Sequence, residues 1–418
     1  MKRVFKNRLL NNALIFTLST VLNKGMNFFI LPILTFYLTK DDYGHLGFIV
    51  SVVAIASIYM GFWPPNFIMA KFSTFGKKKM SLYFSNIFVI LAVTFFGVFL
   101  FFLATKDIFF VNFNDTFELI VLISFYTLFM VVFNIFNTII QLEKNAVKYA
   151  LFQTFYLFCS LGIALVLIIL FHFDWRGKFY AELFILSLIS TYAIYYFVKE
   201  GYLRFDFDLK KIKTLVFYLF PMTFHVIGLF LMGTIDKVFL AKYLDLESVG
   251  IYTIAMTMSI IVNIVYDSAI KAWEPYFFEK IVTNSKSDQK FIIKTVLIYS
   301  VFVILTAYVY LSLIPVIFSV MIDEKFNSSL LYIPLLVIGF AFEGLRKPLA
   351  SFLMHKNMVK TLGVISLFAA GVNILLNIVL IQKYAIAGAA YATIFSFAVL
   401  YFITLFLVFK HYPELRGR

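Results

Sequence analysis

Charged residues are scarce in this chain. Asp, Glu, Lys and Arg together make up only 14% of its 418 residues, whereas hydrophobic residues make up 62%. Soluble domains carry about 25% charged residues. The scarcity of charge excludes an ordinary soluble domain, and the composition predicts an integral membrane protein.

Cysteine is also scarce, because Cys159 is the only one. A single thiol excludes a disulfide within the chain, and its place inside an apolar run predicts a small packing residue. The sequence lacks a phosphate-binding glycine loop and a carboxylate pair joined to a histidine or metal-ligand cluster. We therefore expect no ATP hydrolysis, no cofactor and no metal site, and no enzymatic activity.

Long hydrophobic runs recur along the whole chain. Each is long enough to cross a hydrocarbon core of about 30 Å as a helix. We therefore predict an all-α integral membrane protein, and we expect the first run to remain as a span because it is too long for the core of a signal peptide. The twelve predicted transmembrane helices cover approximately 11–38, 45–69, 82–104, 117–141, 150–171, 179–198, 214–240, 249–270, 292–320, 331–354, 361–381 and 386–409.

The positive charges are distributed unevenly between the connections. Most Lys and Arg residues lie in the two termini and in every second connection. By the positive-inside rule, both termini are expected to be cytoplasmic. The net charge of +14, including the run Lys77–Lys79, is explained by this topology, and we expect no nucleic-acid partner.

The two halves of the chain repeat each other in order, at an offset of about half its length. A repeat of this kind in a membrane protein is typical of a transporter built from two bundles around a shared site. The repeated motifs are Y-L-x-x-[D/E]-x-x-G at Tyr37 and Tyr243, W-x-P-x-F at Trp63 and Trp273, and G-x-x-Y-A at Gly177 and Gly388.

Each half contains six predicted spans, so both halves enter the membrane in the same direction. The predicted architecture is therefore two six-helix lobes related by a pseudo-twofold axis along the membrane normal. We assign 1–200 to the first lobe, 201–213 to a cytoplasmic linker and 214–418 to the second lobe. A central cavity is expected between the lobes, and the chain is expected to work as a monomer.

Particular residues in this architecture also resemble a known family. The chain resembles the polysaccharide and O-antigen repeat-unit flippases of the multidrug/oligosaccharidyl-lipid/polysaccharide transporter superfamily. The resemblance rests on Pro32, Tyr37-Leu38 and Tyr43-Gly44; on Pro221, Asp236-Lys237 and Gly250-Ile251-Tyr252; and on Asn373, Asn377 and Ala387–Thr393.

This resemblance implies a multi-pass protein of the bacterial inner membrane. Its cargo is expected to be an undecaprenyl-pyrophosphate-linked oligosaccharide for O-antigen, lipopolysaccharide or another surface polysaccharide. A polysaccharide polymerase is a possible partner, and a proton or sodium ion a possible coupling ion. The sequence has no readable signal for the sugar that is carried.

Cations at membrane depth are candidates for binding the pyrophosphate. Ionisable residues inside a membrane are costly and often functional. Lys24 lies midway along the first span, with Asn23 and Asn27 beside it, and Arg346 and Lys347 lie in the tenth span. Counted against Glu343, these three cations predict a net positive interior suited to an anionic cargo. Lys24 can alternatively snorkel or pair with a carboxylate elsewhere.

Other polar residues in the spans are candidates for coupling or gating. Glu343 either takes part in proton coupling or only neutralises the cations one turn along. His225 is a proton carrier or an interhelical hydrogen-bonding residue. Asp267 and Lys271 are predicted to form an ion pair, at the inner gate or as a structural pair. Asp236 either belongs to the site or is a surface charge at a helix end.

The repeated W-x-P-x-F motifs suggest breaks in two helices. Pro65 and Pro275 are expected to break the inner ends of the second and eighth spans, because proline removes a helical hydrogen bond. Such breaks are helix endings or hinges for the lobes.

Two other classes of function remain open from the sequence. A cation-coupled drug or small-solute antiporter of the same superfamily would be expected to carry an excess of carboxylates inside the membrane. A membrane-embedded glycan polymerase or glycosyltransferase would be expected to carry a large outer loop or an acidic catalytic loop. The outer connections here are short, so the enzyme is the weaker alternative.

Overall fold

The part of the chain that the computed structural model describes consists of helices and short connections, with no strand. This part comprises residues 28–60, 63–110, 113, 115–204, 207–283 and 285–413, together with Ile15 and Met26. We label the α-helices in order as α1 Leu31–Tyr37, α2 Lys40–Met60, α3 Trp63–Ala104, α4 Lys106–Phe109, α5 Thr116–Leu142, α6 Ala146–Leu165, α7 Trp175–Lys199, α8 Leu209–Met232, α9 Ile235–Tyr243, α10 Leu246–Thr283, α11 Lys286–Met321, α12 Ile333–His355, α13 Val359–Tyr384 and α14 Ile386–His411.

Polar side chains in the short connections fix where several helices begin. Asn145 accepts a hydrogen bond from the backbone of Lys148 at 3.0 Å, and Asp174 accepts one from Arg176 at 2.9 Å. Ser285 caps α11 by accepting from the backbone of Asp288 at 3.1 Å. These caps satisfy backbone N–H groups that have no partner within their own helix.

Several helices are bent or locally rewound. α3 contains a kink at Gly76, whose φ of 64° lies in the left-handed region that glycine adopts without strain. α6 ends in a π-helical turn at Val166–Leu170, and a 3₁₀ segment at Glu324–Leu331 precedes α12. Pro275 lies inside α10, which continues to Thr283, so the predicted helix break there is wrong.

Most of the predicted spans correspond to observed helices. Within the described ranges, nine helices are long and apolar enough to cross a bilayer, and the bent 3₁₀ segment with α12 makes a tenth. These ten match the second to sixth and the eighth to twelfth predicted spans. The first span lies largely outside the described residues. The seventh coincides with α8 and part of α9, which are separated by a turn at Gly233 and Thr234.

The chain divides into two compact units, 1–42 with 49–223, and 43–48 with 224–418. In the first unit, α6 packs along α7, and α5 packs against both α3 and α7. The Glu143 carboxylate at the end of α5 accepts hydrogen bonds from Tyr196 at 2.6 Å and Tyr202 at 2.8 Å. The lobe boundaries predicted from the sequence remain a prediction.

In the second unit, α14 packs along α12 and α13, and α10 packs along α12. Small residues allow the closest approaches. A Cβ atom on Gly388 would lie 2.1 Å from the carbonyl oxygen of Leu380, and one on Gly44 would lie 1.8 Å from that of Leu246. Small residues at such contacts are typical of membrane helices, which associate by close packing. Both glycines belong to the repeated motifs.

Candidate functional site

Arg346 and Glu343 form a buried ion pair on α12. The guanidinium Nε and Nη2 atoms donate to the two carboxylate oxygens at 2.7 Å each. The two side chains are 9% and 12% exposed, so the pair is almost removed from solvent. Two parallel hydrogen bonds hold both groups in one geometry. A helical spacing of three residues brings them together, which is the contact required by one of the two roles that the sequence left open for Glu343.

A second ion pair joins α12 to α10. The Lys347 ammonium contacts the Asp267 carboxylate, and the lysine side chain is 10% exposed whereas the aspartate is 45% exposed. The sequence predicted Lys271 as the partner of Asp267. That pairing is wrong, because Asp267 turns toward the neighbouring helix while Lys271 is exposed.

One more polar contact lies toward the end of α12. We call the two ion pairs and this contact together the ion-pair ladder. The hydroxyl of Ser351 donates to a carboxylate oxygen of Glu274 on α10 at 3.1 Å. The helices are close here because Gly344 leaves room for the ring of Tyr266, which a Cβ atom would meet at 2.7 Å. Charged and polar groups therefore link α10 and α12, two helices that belong to the candidate membrane spans.

The ladder adds the carboxylate of Asp267 to the predicted charge count, whose third cation, Lys24, lies outside the described residues. Arg346 and Lys347 are each paired with a carboxylate, because Asp267 joins Glu343 in the charge count. The sequence count left Asp267 out, since it placed that residue nearer the surface and paired it with Lys271. The two ion pairs are together electrically balanced, and Glu274 adds one further carboxylate to the ladder.

Asp236 is the centre of a second polar cluster, built from four helices. Its carboxylate accepts hydrogen bonds from Asn377 at 2.6 Å, Tyr252 at 2.7 Å and Thr393 at 2.8 Å. Asn377 also donates to the Asn373 side chain at 3.1 Å. Asp236 is 1% exposed and the other four are fully buried, so Asp236 is not a surface charge at a helix end.

This cluster is rich in oxygen atoms and has unused hydrogen-bonding capacity. Asn373 Nδ2 and Asn377 Oδ1 are buried polar atoms without a partner. Unsatisfied buried polar atoms are costly and uncommon. Carboxylate, amide and hydroxyl oxygens are the groups that hold small hard cations, and a buried carboxylate can also take up a proton. The cluster is therefore chemically suited to binding either a small cation or a proton.

Sequence reasoning found Asp236 but did not assign its partners. Tyr252, Asn373, Asn377 and Thr393 all belong to the motifs that carried the family resemblance. They are far apart in sequence, and only the packing of α9, α10, α13 and α14 brings them together. Their shared membership of those motifs was the available signal.

A carboxylate in the first unit was also missed. Glu182 on α7 accepts a hydrogen bond from Tyr126 on α5 at 2.9 Å, and its other oxygen lies 3.4 Å from Lys178. The ring of Tyr126 stacks on Phe179, with centroids 5.2 Å apart. Aromatic packing therefore fixes the hydroxyl that holds this carboxylate.

Four predicted site residues are not placed by these contacts. Lys24, Asn23 and Asn27 lie outside the described residues. His225 falls within α8, but its side chain lies outside the described part. Their suggested roles stay predictions from the sequence.

Curated relatives are distant in sequence. "Lsg locus putative protein 1" of Haemophilus influenzae is 20% identical over 285 residues, which are 66% of this chain and 66% of that protein. An "Uncharacterized membrane protein" of the same organism is 20% identical over 286 residues, 66% of this chain and 67% of that one. The chain thus spans about two thirds of the length of the relatives it matches.

Solved structures share the fold over nearly the whole chain. The "Lipid II flippase MurJ, inward closed conformation" aligns with a TM-score of 0.74 at 14% identity, over 94% of this chain and 87% of that one. An inward-facing "multidrug resistance MATE family transporter of the MOP superfamily" aligns with a TM-score of 0.65 at 13% identity, over 96% and 95%. These likenesses confirm the all-α, multi-pass membrane fold.

A family model described as "Polysaccharide biosynthesis protein" matches residues 9–281. The match includes most of the first unit, most of α10 and the Asp236–Tyr252 contact. It confirms the resemblance drawn from the sequence motifs. Because the match covers well over half of the chain, the protein belongs to the polysaccharide biosynthesis protein family.

Proposed function

We propose that this protein is a flippase that moves an undecaprenyl-pyrophosphate-linked oligosaccharide across the bacterial inner membrane by alternating access. The product serves O-antigen or another surface polysaccharide, and both termini face the cytoplasm. Family membership and the fold shared with a lipid II flippase support this proposal. The chain acts as a monomer and passes its cargo to a polysaccharide polymerase.

The observation that carries the proposal is the pair of intramembrane cations on α12. Arg346 presents a planar fork that matches phosphate oxygens as well as carboxylate oxygens, and Lys347 adds a compact charge. Each cation already has an anionic partner, Glu343 or Asp267. A pyrophosphate can therefore replace a carboxylate without leaving the cation uncompensated inside the membrane.

The Lys347–Asp267 pair is the more accessible of the two. Asp267 is 45% exposed, whereas both members of the Arg346–Glu343 pair are nearly buried. An incoming anion reaches Lys347 first and displaces Asp267. Exchange of the Asp267 carboxylate for the cargo anion, and back, gives cargo binding and release at Lys347. Lys24 supplies a third positive charge in this proposal.

The Asp236 cluster supplies coupling in the same proposal. Uptake of a proton or a sodium ion by this buried carboxylate changes the charge held between α9, α10, α13 and α14. Tyr252 connects it to α10, the helix that also carries Asp267. A change at Asp236 is thereby transmitted along α10 to the cargo site. Glu343, Asp267, Lys271 and His225 remain gating or coupling candidates of lower rank.

Antiport of a cationic drug or small solute is the second candidate function. The carboxylates of the two ion pairs and the buried Asp236 favour this function more than the charge count from the sequence did. The fold shared with a multidrug transporter is compatible with it. The two functions differ in cargo charge. Inhibition of transport by undecaprenyl phosphate supports the flippase, whereas inhibition of transport by organic cations alone supports the antiporter.

The decisive experiment deletes the gene and measures which membrane face holds the lipid-linked oligosaccharide, with a periplasm-restricted glycan-modifying probe. Accumulation of the cytoplasm-facing form, with surface glycan lost and both restored by the intact gene, supports flipping. Normal export in a strain without a second flippase refutes it. Complementation with a Lys347→Ala variant is expected not to restore flipping, because the proposed cargo site loses a cation. Lys360→Ala, at an exposed lysine near the start of α13, is the matched control and is expected to restore it.

A further inference from the structure

A cavity in the second unit lies between α11, α12 and α14. Its volume is about 240 Å³, and its lining includes Leu297 and Ser300 on α11, Leu345 on α12, and Tyr401 and Leu405 on α14. These positions lie near the beginning of α11 and near the ends of α12 and α14. The cavity therefore occupies one membrane leaflet, close to the end where all three helices leave the bilayer.

The cavity is suited to hydrocarbon rather than to water. The hydroxyl of Ser300 already donates to the carbonyl oxygen of Val296 at 2.9 Å. Apart from Ser300 and Tyr401 the lining is apolar, so it offers few of the two to four polar partners that a buried water needs. Leu297, which lines the cavity, is 61% exposed, as expected for a side chain that faces lipid. A membrane lipid chain reaches the opening directly.

The cavity is distinct from the ion-pair ladder. Leu345, Leu349 and Phe352 line it from one side of α12. Glu343, Arg346 and Lys347 follow three- and four-residue spacing and lie on the opposite side of that helix. The chain that fills the cavity is therefore separate from the cargo head group proposed above.

Two exposed lysines lie near the beginning of α11, which also lines the cavity. Lys290 and Lys294 on α11 are exposed, and they precede Leu297 by seven and three residues, which corresponds to about 10 Å and 5 Å along the helix. The neighbouring carboxylate of Asp288 pairs with Lys280 at 3.0 Å. Positive charge thus lies where the head group of a lipid would be, with an apolar cavity one or two turns deeper.

We propose that this site binds an anionic phospholipid, with an acyl chain in the cavity and its phosphate at Lys290 and Lys294. The charge of the rim selects an anionic head group, because juxtamembrane lysines attract anionic lipids. The proposed orientation of the chain assigns the lipid to the cytoplasmic leaflet, but binding itself does not depend on flipping. The lipid joins α11, at the lipid-facing edge of the unit, to α12 and α14.

The test uses the purified full chain and native mass spectrometry. Phosphatidylglycerol and phosphatidylcholine with identical acyl chains serve as probes. The unmodified protein is expected to retain phosphatidylglycerol preferentially. Lys290→Ser and Lys294→Ser are each expected to weaken its retention about five-fold. Lys360→Ser, which removes an exposed lysine outside the site, is the matched control and is expected to leave retention unchanged.

Ser300→Phe fills the cavity and is expected to reduce retention of both lipids. Leu305→Phe, on the lipid-facing side of the same helix, is its control. Photo-crosslinking of the unmodified protein by phosphatidylglycerol with a photoreactive acyl chain is the second measurement, and labelling of 293–300 and 401–409 is expected. Equal retention of both lipids, or labelling elsewhere, overturns the proposal. Displacement of the lipid by undecaprenyl phosphate also overturns it and assigns the cavity to the cargo.

Discussion

The guanidinium of Arg346 is held by both carboxylate oxygens of Glu343, one turn earlier on the same helix, through two hydrogen bonds of 2.7 Å. Because both groups belong to one helix, movement of α12 against its neighbours leaves the pair intact. Only a competing ion or a change of charge can separate them. The pair therefore responds to chemistry rather than to helix motion.

Glu343→Gln is expected to lower stability strongly, because it leaves Arg346 buried without a counter-charge. Loss of one partner of a buried pair costs about 3–5 kcal/mol. Thermal unfolding in detergent, followed by intrinsic fluorescence, measures the effect. Addition of undecaprenyl phosphate is expected to raise the midpoint temperature of unfolding part of the way back. Glu279→Gln, at an exposed carboxylate on α10, is the control, and an equal loss there would contradict this account.

Exchange of the charges of Asp267 and Lys347 tests the contact between α10 and α12. Asp267→Lys and Lys347→Asp alone place like charges together and are expected to destabilise the protein. The double variant restores opposite charges, so its loss is expected to be smaller than the sum of the two single losses. Unfolding midpoints of all four proteins provide the comparison. Lys271→Asp is expected to have little effect, since Lys271 is exposed.

Tyr252→Phe removes one of three donors to the buried Asp236 carboxylate. Because the buried carboxylate then lacks a donor, the free energy of unfolding of the protein is expected to fall by about 1–3 kcal/mol. Transport in vesicles with an imposed sodium or proton gradient is expected to fall as well. Tyr310→Phe, which removes a hydroxyl bonded to the Met258 carbonyl, lies outside the cluster and serves as control. Equal transport by the two variants would exclude a coupling role for the cluster.

Gly388→Ala is expected to disrupt the packing of α13 against α14. Its Cβ would lie 2.1 Å from a backbone oxygen, which a side-chain rotation cannot relieve. Gly371→Ala is the matched control on α13, since no atom lies within 4 Å of the added Cβ. Alanine is there expected to be neutral or stabilising by up to about 1 kcal/mol. The yield of monodisperse protein and the unfolding midpoint distinguish the two.

Lys24→Ala is expected to abolish flipping while leaving membrane insertion intact, because the proposed cargo needs a cation in the first span. The probe-accessibility assay described above measures flipping, and the amount of protein in the membrane fraction measures insertion. Lys2→Ala near the N-terminus is the control. Full activity of Lys24→Ala would remove this residue from the cargo site.

The architecture was predictable because membrane spans leave a direct signal in the sequence. Apolar runs located ten of the twelve spans within the described ranges, and two glycines of the repeated motifs, Gly44 and Gly388, lie at close backbone approaches. The polar partners were not predictable in the same way. Asp267 has Lys271 four residues away on its own helix, yet it pairs with Lys347, because interhelical packing rather than helical spacing decides its contact.

The same limit explains Pro275 and Asp236. Proline is unfavourable inside a helix in water, whereas membrane helices tolerate it more readily, and α10 continues past Pro275 to Thr283. Asp236 begins a helix, where a charge usually lies at a surface. Four buried polar residues from three other helices surround it instead, and no local pattern encodes that arrangement.

The lengths of α10 and α11 have a practical consequence for the study of topology. They contain 38 and 36 residues, which corresponds to about 55 Å each, whereas the hydrocarbon core is about 30 Å thick. Parts of both helices therefore extend beyond the hydrocarbon core. A protease site or fluorescent reporter inserted at Ser287, which is exposed near the start of α11, reads directly which aqueous compartment this end of the protein occupies.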